Sequence, residues 1–403
     1  MSAPRTFFLG FGLLLASAAC HAGSGSPDTG PEGDSSAPDG PEAGPPPLPD
    51  GVCDAAPATL ATLSGYYWDG LTLDDTYIYG AGTDGVQRVP RTGGAPESFI
   101  PASNTHGVVL AGTSVYFLAG SLSAPAAEYW VNDLFVAPVG GGTPTVLVSS
   151  IMSENLATDG DSLYWGCALT PFLVNLGNGG SLGLPAVFGK VALSGGTVTT
   201  LPVDPGEVVE QIVAGADAVY FSTMVYDAED FPGEYRIRRI PKDFSSVTTI
   251  WTNNGTGVGS ISSVGVDAST VYFVGISALP GADASPLYAS TAAVFRMNLD
   301  GSGAGPLLPL PYPFISPSGP GQDPYSLAVG QNALYVAIGG VYVGTGEIAT
   351  VGKGGGSLVE LVSATAPSDL ALRGGSVYYL DANAPTTAQP LTGGPTTVMT
   401  VCE

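Results

Sequence analysis

An all-β repeat fold is what this 403-residue chain predicts, and three observations lead to it. A Val-Tyr dipeptide or near variant recurs seven times: Ile78-Tyr79, Val115-Tyr116, Leu163-Tyr164, Val219-Tyr220, Val271-Tyr272, Leu334-Tyr335 and Val377-Tyr378. The tyrosines lie 37, 48, 56, 52, 63 and 43 residues apart, and self-similarity on that scale marks a repeat architecture. The 58 Gly and 35 Pro supply the punctuation that many short strands need.

The first residues read as an export signal. Arg5 is followed by an apolar run, Phe7 to Leu15, too short to span a bilayer, and then by small residues and Cys20. Ser17-Ala18-Ala19-Cys20 resembles the lipobox of bacterial lipoproteins, which implies lipidation at Cys20; Ser17 departs from the aliphatic residue usual there. Ordinary cleavage after Ala18 or Ala19 would instead leave a soluble secreted protein. Residues 21–52 hold eight Pro, seven Gly and six acidic residues with no Lys, Arg or aromatic. Such a segment buries no core and is expected to be a disordered tether, holding a domain roughly 30 Å from its anchor. The expected organisation is thus a signal peptide at 1–19, a tether at 20–52 and a folded domain at 53–403.

Within the domain, Val264-Gly-Val266-Asp267-Ala-Ser-Thr-Val271-Tyr272-Phe273 reads as two alternating strands about a polar turn. Five residues before each tyrosine stand Asp74, Ala111, Asp159, Gly215, Asp267, Gly330 and Arg373, mostly turn formers. A third strand follows at Val86–Pro90, Leu134–Pro138, Gly189–Leu193, Arg236–Pro241, Val294–Asn298 and Thr387–Pro390, with a weaker copy near Glu347–Val351. Paired glycines come next in most copies, Ser245-Ser246 in the fourth, and then a Thr/Val-rich strand such as Val198–Leu201 or Thr396–Val398. Four antiparallel strands repeated seven times predict a seven-bladed β-propeller.

Val266–Phe273 and Val139–Leu147 resemble propeller repeats of the YWTD and NHL kind, including those of myxobacterial propeller lipoproteins. That resemblance covers residues 57–403; it implies the fold and says little of function, since propellers host unrelated activities.

Ring closure brings the first and last strands together, so Pro57–Thr62 is expected to add to the last blade beside that blade's own fourth strand. A Cys53–Cys402 disulfide would lock the ring, in keeping with an exported protein. Cys167 is then the unpaired thiol, best explained as a small buried hydrophobe.

Alternating strand direction puts the short turns at one rim and the long connections at the other. Variable loops on a fixed scaffold usually carry function, so the long-connection rim is the expected binding surface. Its candidate residues are His106, Tyr129, Trp130, Trp165, Tyr226, Phe231 and Tyr288, aromatics suited to a protein or glycan partner.

The remaining chemistry is sparse. Two histidines, His21 and His106, leave no multi-histidine metal site, and a Ser-His-Asp triad would have to use His106. Asp227, Glu229, Asp230 and Glu234 have the oxygens for calcium, but Arg236, Arg238, Arg239 and Lys242 follow at once and favour local charge pairing. A net charge of −24 argues against nucleic acid and against an anionic membrane face. The expectation is a monomeric, non-enzymatic, envelope-anchored binding protein without metal or cofactor. It would touch the membrane only through its lipid. A propeller hydrolase or lyase and an envelope assembly component are the alternatives.

Overall fold

The computed structural model describes residues 58–401 except 64–66, 103–104, 121–130, 152, 167–186, 205–206, 226–233, 279–289, 311–324, 340–345, 365–366 and 383–395. Strand β1 (Ala58–Leu63) opens the described chain. Blade 1 follows with β2 (Tyr67–Leu73), β3 (Tyr77–Gly82), β4 (Gly85–Pro90) and β5 (Glu97–Ile100). Blade 2 holds β6 (Thr105–Ala111), β7 (Ser114–Gly120), β8 (Asn132–Pro138) and β9 (Thr145–Ile151). Blade 3 holds β10 (Leu156–Thr158), β11 (Ser162–Gly166), β12 (Val187–Ala192) and β13 (Thr199–Pro202). Blade 4 holds β14 (Glu207–Ala214), β15 (Ala218–Val225), β16 (Tyr235–Pro241) and β17 (Thr248–Thr252). Blade 5 holds β18 (Ser260–Val266), β19 (Thr270–Ala278), β20 (Ser290–Asn298) and β21 (Gly305–Pro309). Blade 6 holds β22 (Tyr325–Val329), β23 (Ala333–Ile338), β24 (Gly346–Gly352) and β25 (Val359–Ala364). Blade 7 holds β26 (Pro367–Arg373), β27 (Ser376–Ala382) and β28 (Thr396–Val401).

Each blade is a four-stranded antiparallel sheet; in blade 7 the fourth strand is β1, in the order β1-β28-β27-β26. The first strands of successive blades touch in turn, and β26 touches β2, so the ring closes. Each junction between neighbouring blades encloses one apolar cluster. That between blades 1 and 2 packs Tyr79, Val86, Val115 and Phe117, and that between blades 3 and 4 packs Tyr164, Phe188, Val209 and Phe221. The architecture is a β-propeller of four-stranded antiparallel blades.

Six of the seven repeat tyrosines are core residues, with Tyr79, Tyr164 and Tyr220 wholly buried; Tyr335 is half-buried. Their alternate neighbours face the opposite junction, so both faces of a blade are apolar. This is why the strands read as near-continuous hydrophobic runs.

Two expectations are corrected. The closing strand does not join a complete last blade. Thr396–Val401 pairs with β27 as the third strand, and β1 supplies the missing fourth, with Ala58 opposite Thr400. The proposed third strand at Thr387–Pro390 lies outside the described residues. In the fourth copy the left-handed turn residue is Phe244 (φ 59°), ahead of Ser245-Ser246. Its N–H reaches Pro241 O at 2.8 Å, as the N–H of Gly93 reaches Pro90 O. Packing of its ring against Tyr164 and Phe188 offsets the backbone strain.

Candidate functional site

The two ends of the ring differ in how their polar groups are satisfied. At the short-turn end, aspartates in blades 1, 3 and 5 cap the first turn. The Asp159 Oδ1 accepts the N–H groups of Asp161 and Ser162 at 3.0 and 2.8 Å, and its Oδ2 accepts the Tyr164 hydroxyl at 2.8 Å. Asp74 and Asp267 repeat the arrangement with Tyr79 and Tyr272. A lysine of the following blade completes two of these caps: Lys242 to Asp159 at 2.6 Å and Lys353 to Asp267 at 2.8 Å. In return the third strand of the odd blade sends a cation forward to a backbone carbonyl. Arg88 bonds Val139 O, Lys190 bonds Lys242 O, and Arg296 reaches Lys353 O.

Burial works against the charge of Asp159, but Lys242, the two N–H groups and Tyr164 together hold its carboxyl well below the usual carboxylate range. Burial and the facing aspartate push the Tyr164 hydroxyl up. Blades 4 and 6 have Gly215 and Gly330 where the caps stand, each with its N–H closing the turn onto Ala218 O and Ala333 O. A cleft of about 650 Å³ between blades 3 and 4 is lined here by Asp159, Ser162, Lys190, Gly215 and Lys242, of which Lys242 pairs with Asp159 and Lys190 bonds a backbone carbonyl. At the seam, Arg91 donates to the Tyr378 hydroxyl at 3.0 Å, and Arg373 reaches back to Asp75 at 2.6 Å.

At the opposite end the first strands begin irregularly. Register shifts fall at Gly107-Val108, Glu210, Ser262 and Asp369 in β6, β14, β18 and β26. A bulge re-aims side chains near the mouth of a closed sheet. Asp369 sits at φ 39°, a strained position for a residue with a side chain. Burial raises its pKa to about 6 against the opposing hydrogen bond from the Gly70 backbone. Gly107 approaches the next blade so closely that a Cβ there would stand 2.8 Å from Glu154 O. Beside it, half-buried His106 has an Nδ1 with no partner among the described residues, and burial alone lowers its pKa. Burial likewise raises Glu154. Ser262 Oγ is fully buried and also has no partner among the described residues. The charged forms of His106, Glu154 and Asp369 are therefore all disfavoured, and they lie on or beside first strands from blades 2, 3 and 7.

Blade 4 carries a buried ion network towards the same end. Glu207, with its side chain fully enclosed, pairs with Arg238 and accepts the Thr223 hydroxyl at 2.6 Å. Asp204 bonds Arg236 at 2.7 Å and Arg238 at 3.1 Å, and Glu234 bonds Arg236 at 2.7 Å. Arg239 pairs with Asp217 and Lys242 with Asp159. All four basic residues of this stretch are thus answered by carboxylates, mostly from outside the acidic insertion. Asp227, Glu229 and Asp230 lie outside the described residues, and no cluster suited to a metal occurs among those described.

Of the candidate rim residues, two are placed. His106 is not in a loop; it is the second residue of β6, opposite Leu118. Trp165 is not on the rim. It is 3% exposed in the core between blades 2 and 3, and a Cβ on Gly189 would stand 2.1 Å from its ring. Tyr129, Trp130, Tyr226, Phe231 and Tyr288 lie outside the described residues, as do Cys20, Cys53, Cys167 and Cys402. Sequence reading missed Asp369, Glu154 and Glu210, since single acids in apolar strands carry no spacing signal.

No family model and no curated protein matches this chain. Among solved structures it is similar to the tricorn protease, at 12% identity over 85% of this chain and 36% of that one, with a TM-score of 0.54. It is also similar to the polysaccharide lyase Uly1, at 8% identity over 83% of this chain and 90% of that one, TM-score 0.50. The AfRom2 CNH domain matches at 8% identity over 86% of this chain and 99% of that one, TM-score 0.50. At such identities the likeness shows the propeller fold and nothing finer.

Proposed function

We propose that this chain is a non-enzymatic propeller of the bacterial cell envelope, lipid-anchored through Cys20, that binds a protein or glycan partner at its long-connection end. The supporting observation is the contrast between the two ends. Turn carboxylates at the short-turn end are consumed by caps and interblade bonds, whereas His106 Nδ1 and Ser262 Oγ at the other end await partners. Buried polar groups cost free energy unless they are bonded, so unbonded groups kept just beneath one end mark that end as the place to seek a ligand. Closure of the ring would be locked by a Cys53–Cys402 disulfide, since β28 ends at Val401 beside Cys402 and pairs with the strand that follows Cys53.

The test is capture from envelope extracts with the full chain and with Gly-Ser replacements of insertions 167–186 and 226–233. Loss of partner in the replacements supports the reading; unchanged capture ends it. Mass spectrometry of the mature N-terminus reads the anchor: a Cys20 carrying a diacylglyceryl group on its sulfur supports it, and an unlipidated chain beginning at Ala19 or Cys20 removes it. A second reading, a hydrolase or lyase, rests on His106, Glu154 and Asp369, whose charged forms burial disfavours. It requires turnover of a glycan or peptide substrate that His106→Ala abolishes.

A further inference from the structure

On the outer flank of the junction between blades 5 and 6, Pro309, Leu310, Leu358, Glu347 and Glu360 line a cleft of about 440 Å³. Its walls are apolar: Leu310 belongs to the core of that junction, and Leu358 packs against it. Two carboxylates stand in this apolar setting. Glu360 is surface-exposed and accepts the Ser363 hydroxyl at 2.6 Å. Glu347 is different. As a residue it is only 8% exposed, its carboxyl keeps some access to the cleft, and no hydrogen bond or ion pair reaches that carboxyl among the described residues. Burial and the Glu360 charge both push its pKa up.

The position is no accident of strand register. Ala349 and Val351 belong to the apolar core between blades 5 and 6. Glu347 shares their face, where an apolar residue would extend the core. A carboxyl drawn partly out of water without a partner loses part of its solvation, and a second acid nearby adds repulsion. A cation entering the cleft removes both penalties. Two carboxylates with no third His, Cys, Asp or Glu among the described residues suit a monovalent head better than a divalent metal, which takes six or more oxygens. The leucine and proline walls suit an aliphatic stem behind that head.

We propose that this cleft is a docking site for a lysine side chain of a partner protein, its ammonium between Glu347 and Glu360 and its methylenes against Leu310 and Leu358. The site lies on the flank of the ring and does not rest on the reading of the long-connection end.

The probe is n-hexylammonium chloride, titrated calorimetrically into the full chain, with hexanol, ammonium chloride and calcium chloride as comparisons. Hexylammonium binds, hexanol does not for want of charge, and ammonium binds at least about tenfold more weakly for want of a stem. Glu347→Gln abolishes binding, and Glu360→Gln weakens it by about three- to tenfold. Glu347→Gln keeps the fold, since it removes an unpaired charge; should it misfold, the exposed Glu360→Gln carries the test. Nα-acetyl-lysine amide binds and its ε-acetylated form does not. Equal binding of hexanol, calcium binding that Glu347→Gln removes, or hexylammonium binding unchanged in both variants would each overturn the proposal.

Discussion

The two ends of this propeller use the same kinds of residue to opposite effect. At the short-turn end Asp159 accepts four hydrogen bonds, and its pKa is held low. At the long-connection end Asp369 is pinned at positive φ with its pKa raised to about 6. One carboxylate is stabilised by its surroundings and the other is strained by them. A carboxylate whose charge is welcomed holds structure together; one whose charge is resisted stays in place because the rest of the ring supports it, and such sites collect where function is needed.

That contrast can be broken by substitution, beginning with the core that both ends share. Trp165→Ala removes a core ring and costs about 3–5 kcal/mol. Chemical denaturation should show this loss with partner capture intact; a binding defect in a folded variant would return Trp165 to the binding surface.

Asp159→Ala comes next. It orphans Lys242, Tyr164 and two backbone N–H groups, for an expected loss of about 2–4 kcal/mol by equilibrium denaturation. Because the folded pKa is depressed, this contribution is complete above the unfolded aspartate pKa of about 4 and fades as pH falls through the lower folded value. The gap between wild type and variant should therefore narrow in acid. A gap independent of pH would show that the cap acts by shape alone.

Asp369→Asn should act in the opposite direction. Its raised pKa means that the protonated form is favoured by folding: stability is greatest below about 4 and declines as pH rises towards about 6. Asparagine should stabilise the chain by about 1–3 kcal/mol at pH 7 and by almost nothing at pH 3. Destabilisation at pH 7 would mean that the charge is welcomed there and that the two ends are alike.

The smallest effect is expected at His106. With burial already favouring neutral imidazole, His106→Gln should change stability by less than about 1 kcal/mol while weakening partner capture. Unchanged capture would remove the residue from the binding surface.

Much of the frame was legible in the sequence because blade packing is periodic. The Val-Tyr hairpins and, in blades 1 to 6, the following third strands fall where the apolar pattern puts them, including the weak copy now seen as β24. The closing blade was misread because Thr396–Val401 has fourth-strand composition, and composition does not say which neighbour a strand will pair with. The alternation of Asp74, Asp159 and Asp267 with Ala111, Gly215 and Gly330 was visible as turn chemistry. Its partner, the lysine one blade further on, was not, because Asp159 and Lys242 are 83 residues apart. Trp165 was misplaced for a related reason: it follows a repeat hairpin, but its ring turns inward over Gly189. Asp369, Glu210 and Ser262 become notable only through bulges, which depend on register rather than residue type.

The most direct test of the central claim is site-specific photocrosslinking in intact envelopes. A photoreactive phenylalanine analogue would replace Asn254 at the long-connection end, or Thr113 or Asp243 at the short-turn end. The account predicts a discrete crosslinked partner from position 254 and none from 113 or 243. Crosslinks from positions 113 and 243 with none from 254 would contradict it.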